Sequence, residues 1–103
     1  MMRVVFTFQA RVQLEKIHGY IARENASAAD VVAVRVGEVA NALGDQPYMG
    51  RKVPRSRLRR FPIHPYPYLI YYEVVGDTVR IVRIRHAARY RAAFQEPVRA
   101  FAP

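Results

Sequence analysis

From Tyr66 to His86 the chain runs Tyr-Pro-Tyr-Leu-Ile-Tyr-Tyr-Glu-Val-Val-Gly-Asp-Thr-Val-Arg-Ile-Val-Arg-Ile-Arg-His, two β-type segments around a turn. Aromatic and β-branched side chains dominate both arms, and such residues suit a pleated surface. Val75-Gly76-Asp77-Thr78 supplies the turn, because glycine tolerates positive φ and aspartate can bond its neighbouring backbone. The hairpin ends on a cationic cluster: Arg80, Arg83, Arg85 and His86, then Arg89 and Arg91. Strict alternation along the last strand places Val82, Ile84 and His86 on one face and Arg83 and Arg85 on the other. A strand that carries a guanidinium at every second or third position presents them to something anionic.

Charge sharpens that expectation. Seventeen Lys+Arg stand against eight Asp+Glu, a formal +9, and only Lys16 and Lys52 are lysine. Arginine stays charged and grips carboxylate or phosphate with a planar fork, so the bias favours specific anion recognition. The arginines are interleaved with Val, Ile, Leu and Phe, unlike a disordered Lys-rich tail. With 103 residues the chain makes a single domain, residues 1–103. A chain of this size buries about 60–70% of its unfolded surface, enough for a core without metal or disulfide. There are no cysteines, which excludes a disulfide scaffold, a thiolate zinc site and a cysteine nucleophile. No apolar run approaches the ~18–20 residues that span a bilayer, and no signal peptide is visible. The expected setting is the cytoplasm, with no membrane partner.

Upstream of the hairpin the periodicity is helical. Arg3 to Phe6 is a short β-type run, and Thr7 is placed to cap a helix in which Ala10, Leu14, Ile17 and Ile21 share one face. Asn25 is read as its stop, and Ser27 with Asp30 as the capping box of a second helix. That helix carries Val32, Val36, Val39 and Leu43 on one face and is expected to end at Gly44 and Pro47. The residues from Gln46 to Ser56 read as an exposed loop, and Leu58 to Ile63 as a strand that Pro62 demotes toward an edge or bulge. A short helix is expected from Arg89 to Phe94. The order is β-α-α-β-β-β. Two helices with one apolar stripe each pack as an antiparallel hairpin on one face of a small, mainly antiparallel sheet, a two-layer α+β domain.

The opposite sheet face is then where strand arginines are displayed. Arg59, Arg60, Arg80, Arg83, Arg85, Arg89 and Arg91 form the candidate partner-binding set, since so dense a cluster repels itself unless anions approach. Tyr66, Tyr68 and Tyr72 alternate to one side and Tyr71 to the other, a pattern of core packing more than of a base-stacking platform. His18, His64 and His86 are too scattered for a metal site, and no cofactor is expected.

These elements in this order resemble the RelE/ParE superfamily of toxins from bacterial type II toxin–antitoxin systems. The resemblance covers nearly the whole chain. It rests on Ala10-Arg-Val-Gln-Leu-Glu-Lys-Ile-His-Gly-Tyr-Ile21, the Pro47-Tyr-Met-Gly-Arg51 loop, Tyr68-Leu-Ile-Tyr-Tyr-Glu-Val74 and Val82-Arg-Ile-Arg-His-Ala-Ala-Arg89. It implies a toxin of β-α-α-β-β-β fold, neutralised by a cognate antitoxin with an acidic segment.

The superfamily has two branches of different chemistry on one fold. RelE-like members cleave mRNA on the ribosome, which needs a base, an acid and cations for the phosphorane charge. They place an arginine directly after the aromatic that opens the third strand; here that position is Leu69. His86 with Arg83 and Arg89 would be the catalytic set on that reading. ParE-like members poison DNA gyrase without ribonuclease activity, and this branch is the one the Pro47–Arg51 loop and Tyr68-Leu-Ile-Tyr-Tyr favour, with no catalytic residue; a third reading is a basic module that has lost toxicity and binds a partner or DNA.

Overall fold

A computed structural model describes residues 1–88. The elements are β1 (Arg3–Phe6), α1 (Phe8–Ala22), α2 (Ala26–Asp45), β2 (Arg51–Lys52), β3 (Arg59–Pro62), β4 (Tyr68–Val75) and β5 (Thr78–His86). The helix expected from Arg89 to Phe94 lies outside the described residues. Two helices cover one face of a five-stranded sheet of order β1-β5-β4-β3-β2, which is the expected two-layer α+β architecture. All neighbours are antiparallel except β1 and β5, which run parallel from Arg3↔Thr78 to Phe6↔Ile81.

The fifth strand departs from expectation. Arg51 and Lys52, expected in a loop, pair with Arg60 and Arg59 as β2. Because β2 is two residues long, Pro62 has β4 on one side and no strand on the other, so its missing N–H costs no ladder bond.

Thr7 caps α1 as its sequence position indicates: its hydroxyl accepts from the Ala10 N–H at 3.2 Å. The second cap differs. Asn25 does not stop α1, which ends at Ala22, but opens α2, accepting from the Ala28 N–H at 3.0 Å. Ser27 therefore lies inside α2, and Asp30 meets His18 of α1 at 2.8 Å instead of completing a capping box. Asn25 wins because it is extended and immediately precedes the helical run, where its side-chain oxygen reaches a free N–H of the first turn. At the other end α2 runs through Gly44 to Asp45. Gly44 is needed for close approach: a Cβ there would lie 2.9 Å from Val4 Cγ2 and 3.1 Å from the Met2 carbonyl oxygen.

Val32, Val36, Val39 and Leu43 are all buried, as is Ala10, with Leu14, Ile17 and Ile21 packed against them. Valine is a mediocre helix former, so burial holds α2 together, at about 1.5–3 kcal/mol for each large apolar side chain removed from water. The sheet meets this stripe with Tyr68, Ile70 and Tyr72 of β4 and Val79, Ile81 and Ile84 of β5. The turn between them is the two-residue Gly76-Asp77, with Gly76 at φ +60°.

Candidate functional site

The geometry of the arginine face depends on one irregularity. Tyr71 pairs with Arg83 but Tyr72 pairs with Ile81, so Val82 is an extra residue bulged out of the β4–β5 ladder. A bulge resets alternation on its strand. Ile81 and Ile84, three apart, both face the core, whereas strict alternation had paired Val82 with Ile84. Arg80, Arg83 and Arg85 consequently stand on the helix-free face, opposite Glu73, Tyr71 and Leu69 of β4.

Register extends this face across the sheet. Arg60 is the partner of Tyr71 on β3, and Arg51 the partner of Arg60 on β2, so Arg51, Arg60, Tyr71 and Arg83 form one row over four strands. Arg80 forms an ion pair with Glu73, whose side chain is only 14% exposed. Arg83 remains exposed and Arg85 half-buried. Of the seven arginines singled out in the sequence, Arg60, Arg80, Arg83 and Arg85 are thus brought together. Arg89 and Arg91 lie outside the described residues.

Arg59 belongs elsewhere. By register it faces the helix side with Tyr72, and its guanidinium donates to the carbonyls of Tyr48 (3.2 Å) and Gly50 (2.9 Å) while lying 5.1 Å from the Tyr48 ring centre. The same loop is held from the core by Tyr72, whose hydroxyl donates to the Pro47 carbonyl at 2.8 Å and accepts from the Gly50 N–H at 2.9 Å. Burial pushes the Tyr72 pKa above its ordinary value, against opposing pulls from the Gly50 N–H and Arg59. This clamp went unseen in the sequence, where Tyr72 is one of several strand tyrosines and nothing local marks a partner 22 residues away.

His86 ends β5 opposite Tyr68, with the rings edge to face at 5.3 Å between centres. Its Nδ1 accepts from the Ala88 N–H at 3.1 Å, which leaves Nε2 to carry the proton of the neutral ring. His86 and Tyr68 border a groove of about 950 Å³ beside α1, whose walls also include Lys16, Tyr20 and Arg85. Desolvation, and secondarily the neighbouring Tyr20, raises the Tyr68 pKa. His86 and Arg83 do not converge: their β4 partners, Tyr68 and Tyr71, have opposite parity. Among the described residues no three His, Asp or Glu side chains are grouped so as to hold a metal ion, and no helix is long and apolar enough to cross a membrane.

Known proteins resemble this chain in sequence or share its fold. Toxin RelE2 of Caulobacter vibrioides is 40% identical over 89 residues, spanning 86% of this chain and 99% of its own. A structure of the chromosomal ParDE toxin–antitoxin system from P. aeruginosa superposes with a TM-score of 0.73 at 21% identity, over 84% of this chain and 96% of that one. YafQ from E. coli superposes at 0.57 with 8% identity, over 87% and 98% of the two chains, so the fold is common to all three. The family described as "ParE toxin of type II toxin-antitoxin system, parDE" matches residues 4–90. The chain is a member of that ParE toxin family, within the wider RelE/ParE superfamily, and its membership implies an antitoxin as partner.

Proposed function

We propose that the chain is a ParE-like toxin that inhibits DNA gyrase, held inactive in the cytoplasm by its antitoxin and acting without a catalytic residue or cofactor. The observation that carries this reading is Leu69. At the position where the RNase branch has an arginine, this side chain is apolar, buried, and flanked by Pro62 and Arg85 on the neighbouring strands. It offers no cation to a phosphorane. His86 and Arg83, two members of the alternative catalytic set, project to opposite faces, and the His86 Nδ1 is already bonded to the backbone. On the gyrase reading the antitoxin's acidic segment lies over the face that carries Arg60, Arg83, Arg85 and the Glu73-paired Arg80, while the outer face of the helical hairpin and the basic C-terminal segment, with Arg89 and Arg91, engage the target.

The ribosome-dependent mRNA endonuclease is the second reading, supported by the groove that sets His86 beside Tyr68, Lys16 and Arg85. Pulse-labelling after induction without antitoxin separates the two. An early fall in DNA synthesis with a DNA-damage response is expected; an early collapse of protein synthesis, abolished by His86→Ala, would replace gyrase with mRNA as the target.

A further inference from the structure

Six of the ten residues from Arg51 to Arg60 are cationic, and no aspartate or glutamate occurs from residue 46 to residue 72. The fold concentrates this charge in a two-stranded ribbon at the outer edge of the sheet. Its two rungs are Arg51↔Arg60 and Lys52↔Arg59, both pairs of like charge, on opposite faces of the ribbon. Like charges directly opposite one another oppose strand pairing. The segment joining the strands adds Arg55 and Arg57, both exposed, and holds Arg55 at φ +61°, a conformation that glycine or asparagine would adopt more easily. Among the described residues Arg51, Lys52, Arg55 and Arg57 form no ion pair with a carboxylate, although Arg35 and Arg80 do. The ribbon is nonetheless fixed, at its base by Arg59 on the Tyr48 and Gly50 carbonyls and toward its tip by a 2.9 Å bond from the Val53 N–H to the Leu58 carbonyl.

We propose that the β2–β3 hairpin is a duplex-DNA-binding arm, whose Arg51, Lys52, Arg55 and Arg57 neutralise backbone phosphates. Duplex DNA presents one negative charge per about 1.7 Å of axis, dense enough to match four exposed cations within seven residues. β3 is held on its other side by β4 from Arg59 to Pro62, so the charge is offered to the DNA by β2 and the connecting segment, whose Arg51, Lys52, Arg55 and Arg57 are all exposed. A short acidic peptide pairs with a few of these cations, whereas a duplex presents phosphates along the whole run from Arg51 to Arg57. The ribbon meets phosphate, so binding is independent of base sequence. Another role for edge cations is to discourage strand addition by other chains, which requires charge but no ligand.

The test uses the full chain freed of antitoxin, with no gyrase present, so its outcome is separate from that of the gyrase reading. Fluorescence anisotropy with a labelled duplex is expected to show affinity falling on the order of 100-fold between about 50 and 200 mM salt, as the neutralisation of four phosphates requires. The triple change Lys52→Gln, Arg55→Gln, Arg57→Gln should flatten the log–log salt slope by about 0.9 for each phosphate left unneutralised and weaken low-salt binding at least about tenfold. Removing as many charges with Arg3→Gln, Arg11→Gln and Arg23→Gln, all exposed and away from the ribbon, should leave the slope nearly intact. Amine labelling of the unaltered protein gives a second readout, because Lys16 and Lys52 are its only lysines. Duplex should protect Lys52 and leave Lys16 reactive. Equal weakening in the two triple variants, unprotected Lys52, tighter binding to single-stranded RNA, or aggregation of the hairpin variant with unchanged DNA binding would each overturn the proposal.

Discussion

Gln13 Oε1, on the second turn of α1, accepts a 2.8 Å hydrogen bond from the main-chain N–H of Ile84, 71 residues later. The bond lies where β1 ends. β1 pairs with β5 only as far as Ile81, and beyond it the helix takes over that edge: the Thr7 N–H donates to the Ile81 carbonyl at 3.0 Å, and Gln13 accepts from Ile84. The bulged strand therefore keeps its buried ladder satisfied without a sixth strand.

Gln13→Ala should leave the Ile84 N–H without its acceptor and cost about 1–2 kcal/mol, read from the urea midpoint. Gln13→Glu keeps an acceptor oxygen and should recover most of that stability. Equal stability of the alanine variant and the parent would show that water replaces the bond.

The Tyr72 clamp predicts strong coupling with Gly50. A Cβ on Gly50 would sit 2.4 Å from the Tyr72 hydroxyl oxygen, so Gly50→Ala must displace either the ring or the loop, at about 1–3 kcal/mol. Tyr72→Phe removes both hydroxyl bonds and leaves the buried Gly50 N–H unpaired, about 1–3 kcal/mol. In the double variant the nearest clash is gone, so the two costs should add to less than their sum in a denaturation cycle.

Alkaline pH should weaken the fold through the same residue. The Tyr72 pKa is raised above 10.0 by burial, so the unfolded chain gives up its phenolic proton first as pH rises. The stability this contributes is fully present below the unfolded value and is lost as pH climbs through the folded one. Tyr68 is shifted in the same direction, also chiefly by desolvation. Urea stability followed from about pH 8 to pH 11 should fall less steeply for Tyr72→Phe and Tyr68→Phe than for the parent. Parallel curves would place both hydroxyls in unshifted environments.

Much of the fold is legible in local periodicity. Val32, Val36, Val39 and Leu43 recur at helical spacing and are all buried, and Gly76-Asp77 forms the turn its chemistry indicates. What stayed hidden depends on partners distant in sequence. Arg51-Lys52 has no strand signal of its own and becomes β2 only because β3 offers a ladder. Val82 is β-branched like its neighbours, so nothing in the segment marks it as the bulge, yet the bulge decides which side Ile81 and Arg80 take relative to Ile84 and Arg83. Of the site, the arginine cluster on β5 was visible as composition, but Arg59's engagement with Tyr48 and Gly50 required the folded loop.

The parallel pairing of β1 with β5 also sets a clock. Arg3 to Phe6 are made well before Thr78 to Ile81, their strand partner among the described residues, which is about 75 residues downstream. Pairings of such long sequence separation form late, because the loop between them must close before they reward it. A nascent chain stopped short of Thr78 has a helical hairpin but no β5 to hold β1, so the sheet that carries the arginines is completed only once β5 has been made. An antitoxin that recognises that sheet has nothing complete to hold until β5 is in place, and meets the toxin already folded.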